Sequence, residues 1–380
     1  MMPGVFADLD LTPNPLELAR LARQAGAGYV DLTSSNPTAQ GLIFPPALLQ
    51  AASAAFWTTR RYTPEARGAL AARAALVAAY AARTPPLPLT TDDFFLTAST
   101  SEAYALLFAL LADPGDNLLA PNVSYPLFEY LAELRGIELR SYDLDEAANW
   151  QIEPASLLAA ADRRSRGVLL VSPHNPTGAV LGATQEALLR LGLPLIADEV
   201  FAAFPYAVPH VPPVAALHPS LPVFTLNGIS KQFALPDLKL GWIALNAAAR
   251  PFAPRLELLN DTFLGANSLS QHLLPMLLAE GGPFVAQLAT RIRTNLDLAL
   301  AQLADHPRLT LRPPDGGYYL FPAVQGWPDE DQLVLHLLNH GLLVHPGYFY
   351  GDPPGCHLML SALTEPAQFA EGLAILRQVL

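Results

Sequence analysis

The segment NGISKQFALPDLKLGW (227–242) holds Lys231 and Lys239, the only two lysines in a chain of 380 residues whose other fixed cations are twenty arginines. A lysine in an apolar loop can do what an arginine cannot. Desolvation disfavours its charged form and exposes a neutral primary amine, which can add to a carbonyl and form a Schiff base. The plain alternative is a stem lying on apolar surface with its ammonium in water.

A Schiff-base cofactor such as pyridoxal phosphate needs more than an amine. It needs an acid beside its ring nitrogen, an anion site for its phosphate and a flat partner for its ring. ADEVF (197–201) places Asp198 at the end of an apolar run, where it is either that acid or a helix N-cap. In ASTSEAY (98–104), Ser99, Thr100 and Ser101 lie between an apolar run and a helical one. Their hydroxyls and first-turn amides suit an anion, and an ordinary N-cap with Glu102 in the first turn is the other reading. Tyr125 in PNVSYP (121–126) is a candidate ring partner or a half-buried core tyrosine. Asn175 in SPHNPTG (172–178) sits in an Asn-Pro turn, and His174 beside it reads as a turn histidine rather than a proton relay. Cys356 and the nine histidines make no metal pattern of the usual kind.

Positioning these residues requires a scaffold, and the chain supplies a rhythm for one. From about residue 94 to 246, short apolar runs (FFLTA, NLLAP, IELRSYDL, GVLLVSP, PLIADEVF, PVFTLNG, LKLGWIAL) alternate with helical patterns such as SEAYALLFALLA, YPLFEYLAELRG and TQEALLRLG. That alternation predicts an α/β fold with a mostly parallel sheet wound with helices on both faces. Ligands in such sheets sit at the carboxyl ends of the strands. Beyond about residue 250 comes a long helical stretch, PFVAQLATRIRTNLDLALAQLAD, then LTLRPPDGGYYLFP, two strands around a Gly-Gly turn, and a final helix. The expected division is a large α/β domain over 44–282, with 1–43 and 283–380 forming a smaller α+β domain.

Composition sets outer bounds. Half the residues are hydrophobic and 15% are charged, as in a soluble globular chain. A net charge of −12 argues against a nucleic-acid surface, so any anionic ligand must be held by a local device. One cysteine excludes an internal disulfide framework and favours a reducing cytoplasm. The N-terminal MMPGVFADLDLTPNP is acidic and proline-broken, unlike a secretory signal, and no uncharged run of 18 apolar residues occurs. Thirty-seven prolines, many alanines and arginine in place of lysine suggest a G+C-rich coding bias, which explains missing lysines but not where the two survivors stand.

Taken in order, these segments resemble the fold-type I pyridoxal-phosphate enzymes, in particular the class I/II aminotransferases. RYTPEARGALAAR, LTASTSEA, DPGD, PNVSYP, SPHNPTG, ADEVF, SKQFALPDLKLGW, SQHLLPMLL and PPDGGYYLF follow in family order over nearly the whole chain. The resemblance implies the fold-type I architecture, with a seven-stranded-type sheet, and an aminotransferase that moves an amino group from an amino acid to a 2-oxo acid by a ping-pong route. It implies that Lys231 is the Schiff-base lysine and proton shuttle, and that Asp198 pairs with the ring nitrogen. It also implies that Asn175 bonds the ring oxygen and Tyr125 stacks on the ring. Ser99, Thr100, Ser101 and Lys239 would hold the phosphate, with Tyr62 reaching it from a partner subunit of a homodimer. Asn36, in LTSSNPT (32–38), would border the substrate.

Three departures stand out. The family usually has arginine where this chain has Lys239, and a tyrosine where it has Phe201, which implies a raised pKa for the Schiff base. The family's carboxylate-binding arginine corresponds to Met359, two residues before Ser361, with Arg60 or Arg61, or backbone N–H groups, as substitutes. C–S lyases share this scaffold and remain an alternative. A non-catalytic cofactor-binding module is another, although only about 30 residues precede LTSSNPT and the chain is acidic.

Overall fold

The computed structural model describes Phe6, residues 11–182 and residues 185–380. Most of the stretch read as unlike a secretory signal therefore lies outside the described residues, as does the first residue of the helix predicted from Thr184. Among the described residues no single helix is long and apolar enough to cross a membrane.

Seven strands form the central sheet: β1 (Phe94–Thr97), β2 (Asn117–Pro121), β3 (Glu138–Tyr142), β4 (Ser165–Val171), β5 (Leu195–Asp198), β6 (Val223–Gly228) and β7 (Gly241–Leu245). Their spatial order is β1-β7-β6-β5-β4-β2-β3. The five strands from β2 to β6 run parallel, whereas β7 is antiparallel to both its neighbours, β1 and β6. The inner strands are continuous apolar runs because helices cover both faces. FFLT and LIAD are wholly buried, while the edge strand ELRSY keeps polar, partly exposed residues.

A smaller sheet follows, built around β10 (Cys356–Ser361), which pairs with β8 (Tyr319–Leu320), β9 (His345–Pro346) and the short strand Ala323–Val324. The two strands expected around the Gly-Gly turn do not pair with each other: Leu309–Thr310 joins Ala323–Val324, and β8 joins β10. The turn docks on the large sheet's loops instead. Gly316 donates to the Gly178 carbonyl at 3.0 Å and Gly317 to that of Phe204 at 2.8 Å. The N-terminal arm joins this part of the chain, with Val30 and Asp31 in parallel register with Leu342 and Leu343.

Candidate active site

All the strands that carry a predicted site residue end, or begin, at one edge of the central sheet. Asp198 closes β5 and lies level with Val171 on one side and Leu226 on the other. Gly241, the first residue of β7, is opposite both Thr97 and Gly228. That register sets Ser99, Ser230 and Lys239 each two residues beyond a common level. The approach is close. A Cβ on Gly241 would come within 3.0 Å of the Ser99 carbonyl carbon and 3.1 Å of the Thr100 nitrogen, so only glycine leaves this cup open.

The cup is the N-terminus of α1 (Thr100–Leu111), where Ser99 is the N-cap and accepts from the Glu102 amide at 3.1 Å. Glu102 in turn accepts from the Ala98 amide at 2.5 Å. The capping reading of this segment thus holds alongside the anion-site reading: the cap fixes the helix start, and the remaining first-turn amides are those an anion would use. Lys239 caps the short turn Pro236–Leu238 with φ of 48°, a left-handed backbone that lysine rarely adopts.

A cavity of about 360 Å³ opens at this edge, and Ser99, Thr100, Ser101, Tyr125, Asn175, Asp198, Lys231 and Lys239 all line it. Two predicted residues do not. Tyr62 is exposed and lines a separate cavity together with Arg60 and Arg61. Asn36 points its Oδ1 at its own turn, accepting from Thr38 Oγ1 at 2.8 Å and from the Thr38 amide at 3.2 Å.

Electrostatics distinguish the two central groups. Burial pushes the Asp198 carboxyl up to about 6, against the amide of Val200 (3.0 Å to Oδ1) and the hydroxyl of Tyr104 (2.9 Å to Oδ2). Burial lowers Lys231, while the Asp198 carboxylate pulls it back. Its Nζ lies 5.9 Å from the Phe201 ring centroid, and its backbone carbonyl accepts from the Tyr318 hydroxyl. Phe201 itself packs edge-on against Tyr318 and Tyr319. Asn175 offers a buried Oδ1 with no hydrogen-bond partner. His174 is a different case. Its Nδ1 contacts Thr177 Oγ1 at 2.9 Å and burial drops it to about 4, so it is a neutral turn residue.

Several residues that sequence reasoning passed over also belong here. Tyr104, one turn into α1, holds Asp198. Thr33, Ser35, Tyr319, His345 and Tyr350 line the far end of the cavity with Met359. Glu199, next to Asp198, is fully buried and pairs with Arg83, and it accepts from the Val214 amide at 2.8 Å. Tyr104 had a findable signal, since it sits four residues after Thr100 on the same helix face. The far-end residues come from four separate segments and had none.

Comparison with known proteins agrees with this fold. The family model for aminotransferase class I and II matches residues 27–371. The alanine aminotransferase of Mycobacterium tuberculosis is 30% identical over 362 residues, covering 91% of this chain and 83% of that protein. The S-alkyl-thiohydroximate lyase of Arabidopsis thaliana is 31% identical over 276 residues, covering 70% and 59%. Among solved structures, the alanine aminotransferase from Pyrococcus furiosus superposes with a TM-score of 0.90 over 100% of this chain and 99% of its own, at 22% identity, which speaks to the fold alone. The chain belongs to the class I and II aminotransferases. It is therefore an enzyme of the amino-transferring class, on the fold-type I scaffold.

Proposed function

We propose that the protein is a pyridoxal-phosphate-dependent aminotransferase working from an amino donor to a 2-oxo acid, with Lys231 and Asp198 as its catalytic pair. The observation that carries this reading is the convergence of a desolvated lysine, a buried carboxylate and an open helix N-terminus on one cavity. The residues fit the cofactor: Asn175 presents a buried side-chain amide whose Oδ1 is unpartnered, and Gly241 at the cup leaves room that a Cβ would fill. When bound, pyridoxal phosphate supplies an aldehyde for the lysine and a ring that withdraws the electron pair left at the substrate's Cα.

The protein's own groups do the rest. Lys231, whose charged form burial disfavours, would carry the proton from the substrate's Cα to the carbon on the other side of the transferred nitrogen. Asp198, held by Val200 and Tyr104, keeps the ring nitrogen protonated. Asn175 steadies the ring oxygen and Tyr125 covers the ring face. Ser99, Thr100, Ser101 and Lys239 bind the phosphate. Tyr62 and Asn36, outside the cavity of the single chain, complete the site in a homodimer, Tyr62 from the partner subunit. The working division remains 44–282 for cofactor binding and 1–43 with 283–380 as the smaller domain, in a cytoplasmic enzyme.

The test is nitrogen transfer. A ¹⁵N-labelled amino donor incubated with a 2-oxo acid should yield labelled amino acid product. The likeness to a plant lyase keeps elimination as a second reading, in which labelled ammonia and the donor's released β-substituent appear in place of labelled amino acid.

A further inference from the structure

The fixed cations of the cavity are Lys231 and Lys239, both at or beside the cup, and no arginine is among the described residues that line it. An amino acid and a 2-oxo acid each carry a carboxylate on the carbon that reacts. With phosphate and ring at the cup, that carboxylate is left to the far end, made by Thr33, Ser35, Tyr319, His345, Tyr350 and Met359. Of these side chains only His345 can become a cation.

Strand register sets its imidazole into the cavity wall. His345 is opposite Met359, and Tyr319 is opposite Ser361 two residues on, so the four side chains leave one face of the smaller sheet. Tyr350 Oη lies 3.2 Å from His345 Nδ1, which engages one ring nitrogen and leaves Nε2 as the one a ligand would meet. Thr33 and His345 also line a second cavity of about 340 Å³, together with Asp31 and Arg20, so these two side chains stand between the cavities.

The charges around the ring are few and mostly engaged. On the N-terminal arm, Asp31 Oδ1 accepts from the amide and the hydroxyl of Thr33, each at 2.7 Å. Arg20, on the helix Pro15–Ala25, is taken up by Glu17, with Nε and Nη2 each 2.7 Å from a carboxylate oxygen. On the helix Glu330–Asn339, packed against β9, Glu330 and Asp331 accept from the amide and hydroxyl of Tyr348, each at 2.7 Å. β10 presents the uncharged Met359, and the large sheet presents Tyr125 and Lys231 across the cavity. Burial holds the His345 imidazole below its ordinary value, and the Asp31 carboxylate opposes this without overcoming it. An entering carboxylate would be a second negative neighbour. An opposite charge within about 4–6 Å moves a pKa by roughly one to three, enough to make this ring a cation near neutral pH.

We propose that His345 is the side chain that holds the substrate's carboxylate, and that it takes up one proton from solvent as the carboxylate enters. Tyr350 orients the ring, and Asp31 balances the imidazolium from the other cavity. This rests on the amino-transfer reading above and gives that reaction a carboxylate site whose charge exists only when it is occupied.

The test uses the holoenzyme and 3-phenylpropionate, a carboxylate with no amino group to react. Calorimetric titration near neutral pH, in two buffers of different ionisation enthalpy, counts the protons taken up for each ligand bound. The cofactor's absorbance in the same titration counts those that go to the Schiff base. The expected result is an excess of about one proton over the absorbance count, with affinity falling by up to about tenfold for each unit that pH rises through the neutral range. The uncharged 3-phenylpropionamide should show no excess. His345→Asn should lose the excess and weaken carboxylate binding by at least about tenfold, whereas Met359→Arg should lose the excess and keep its affinity as pH rises. Failure of the carboxylate to bind, uptake fully accounted for by the absorbance, or an excess that survives in His345→Asn would each overturn the proposal, whichever subunit then supplies a cation. Should the variants not fold, the parent count and its amide control still decide. An excess proton with no amino acid able to discharge the cofactor would instead sink the amino-transfer reading alone.

Discussion

The two ends of the cavity are assembled in different ways. The cofactor end is built from backbone: strand termini at one level, a capped helix start and glycines that let the segments touch. Its charges follow from that frame, with Asp198 at a strand end and Lys231 three residues past another. The far end is built from side chains on the smaller sheet and the N-terminal arm, and it holds no fixed charge. One end suits an anion and a ring, while the other holds hydroxyls, a thioether and one titratable imidazole. The contrast teaches that within a single cavity the groups suited to an anion and a ring and the groups at the uncharged end can sit on separate sheets.

The contrast breaks most visibly at Lys231. Lys231→Ala should lower turnover by at least about ten-thousandfold, the upper range for a positioned acid–base group. Activity of the variant within a hundredfold of the parent would remove the lysine from its assigned place.

Asp198→Asn should cost roughly a hundred- to ten-thousandfold in turnover while stabilising the cofactor-free chain. The sign follows from burial, which pushes Asp198 up to about 6. Between about pH 4 and 6 the folded chain holds a proton that the unfolded chain gives up, so this group favours folding below about pH 4 and that contribution is lost as pH rises through about 6. Denaturant melts should show parent and variant nearly matched near pH 4 and the variant ahead by about 3 kcal/mol near pH 7. A gap independent of pH would contradict the assignment.

Arg83→Met tests the support beneath the cofactor end. It strands the buried Glu199 carboxylate and should cost about 3–5 kcal/mol in chemical unfolding. Adding Glu199→Gln should recover a good part of that loss. The smallest effect is expected at Lys239, where Lys239→Arg keeps the charge and adds a second donor pair. Retention of the cofactor on dialysis should change by less than about tenfold.

Legibility in the sequence followed the same division. The central sheet was readable because its strands are short apolar runs between turn signals, and the cofactor end because Ser99, Tyr125, Asn175, Asp198 and Lys231 each lie within such a run or a few residues past its end. The antiparallel course of β7 was not readable, since LKLGWIAL looks like any buried strand. Nor could sequence show that Glu199 and Arg83, 116 residues apart, neutralise each other inside the core. The far end was hidden for a similar reason. Tyr319, His345 and Met359 meet only through strand register across the smaller sheet, with Thr33 brought in on the N-terminal arm, and no local pattern records that arrangement. Met359 could be noticed because the resemblance puts an arginine at its position, but its neighbours could not.

The central claim is that Lys231, and not Lys239, is the amine that joins the cofactor. Borohydride reduction of the holoenzyme fixes a Schiff base as a stable secondary amine, and peptide mass mapping then locates it. With only two lysines in the chain, the map has few places to point. The account predicts a phosphopyridoxyl adduct on Lys231 with Lys239 unmodified. An adduct on Lys239, or none on either lysine, would contradict it.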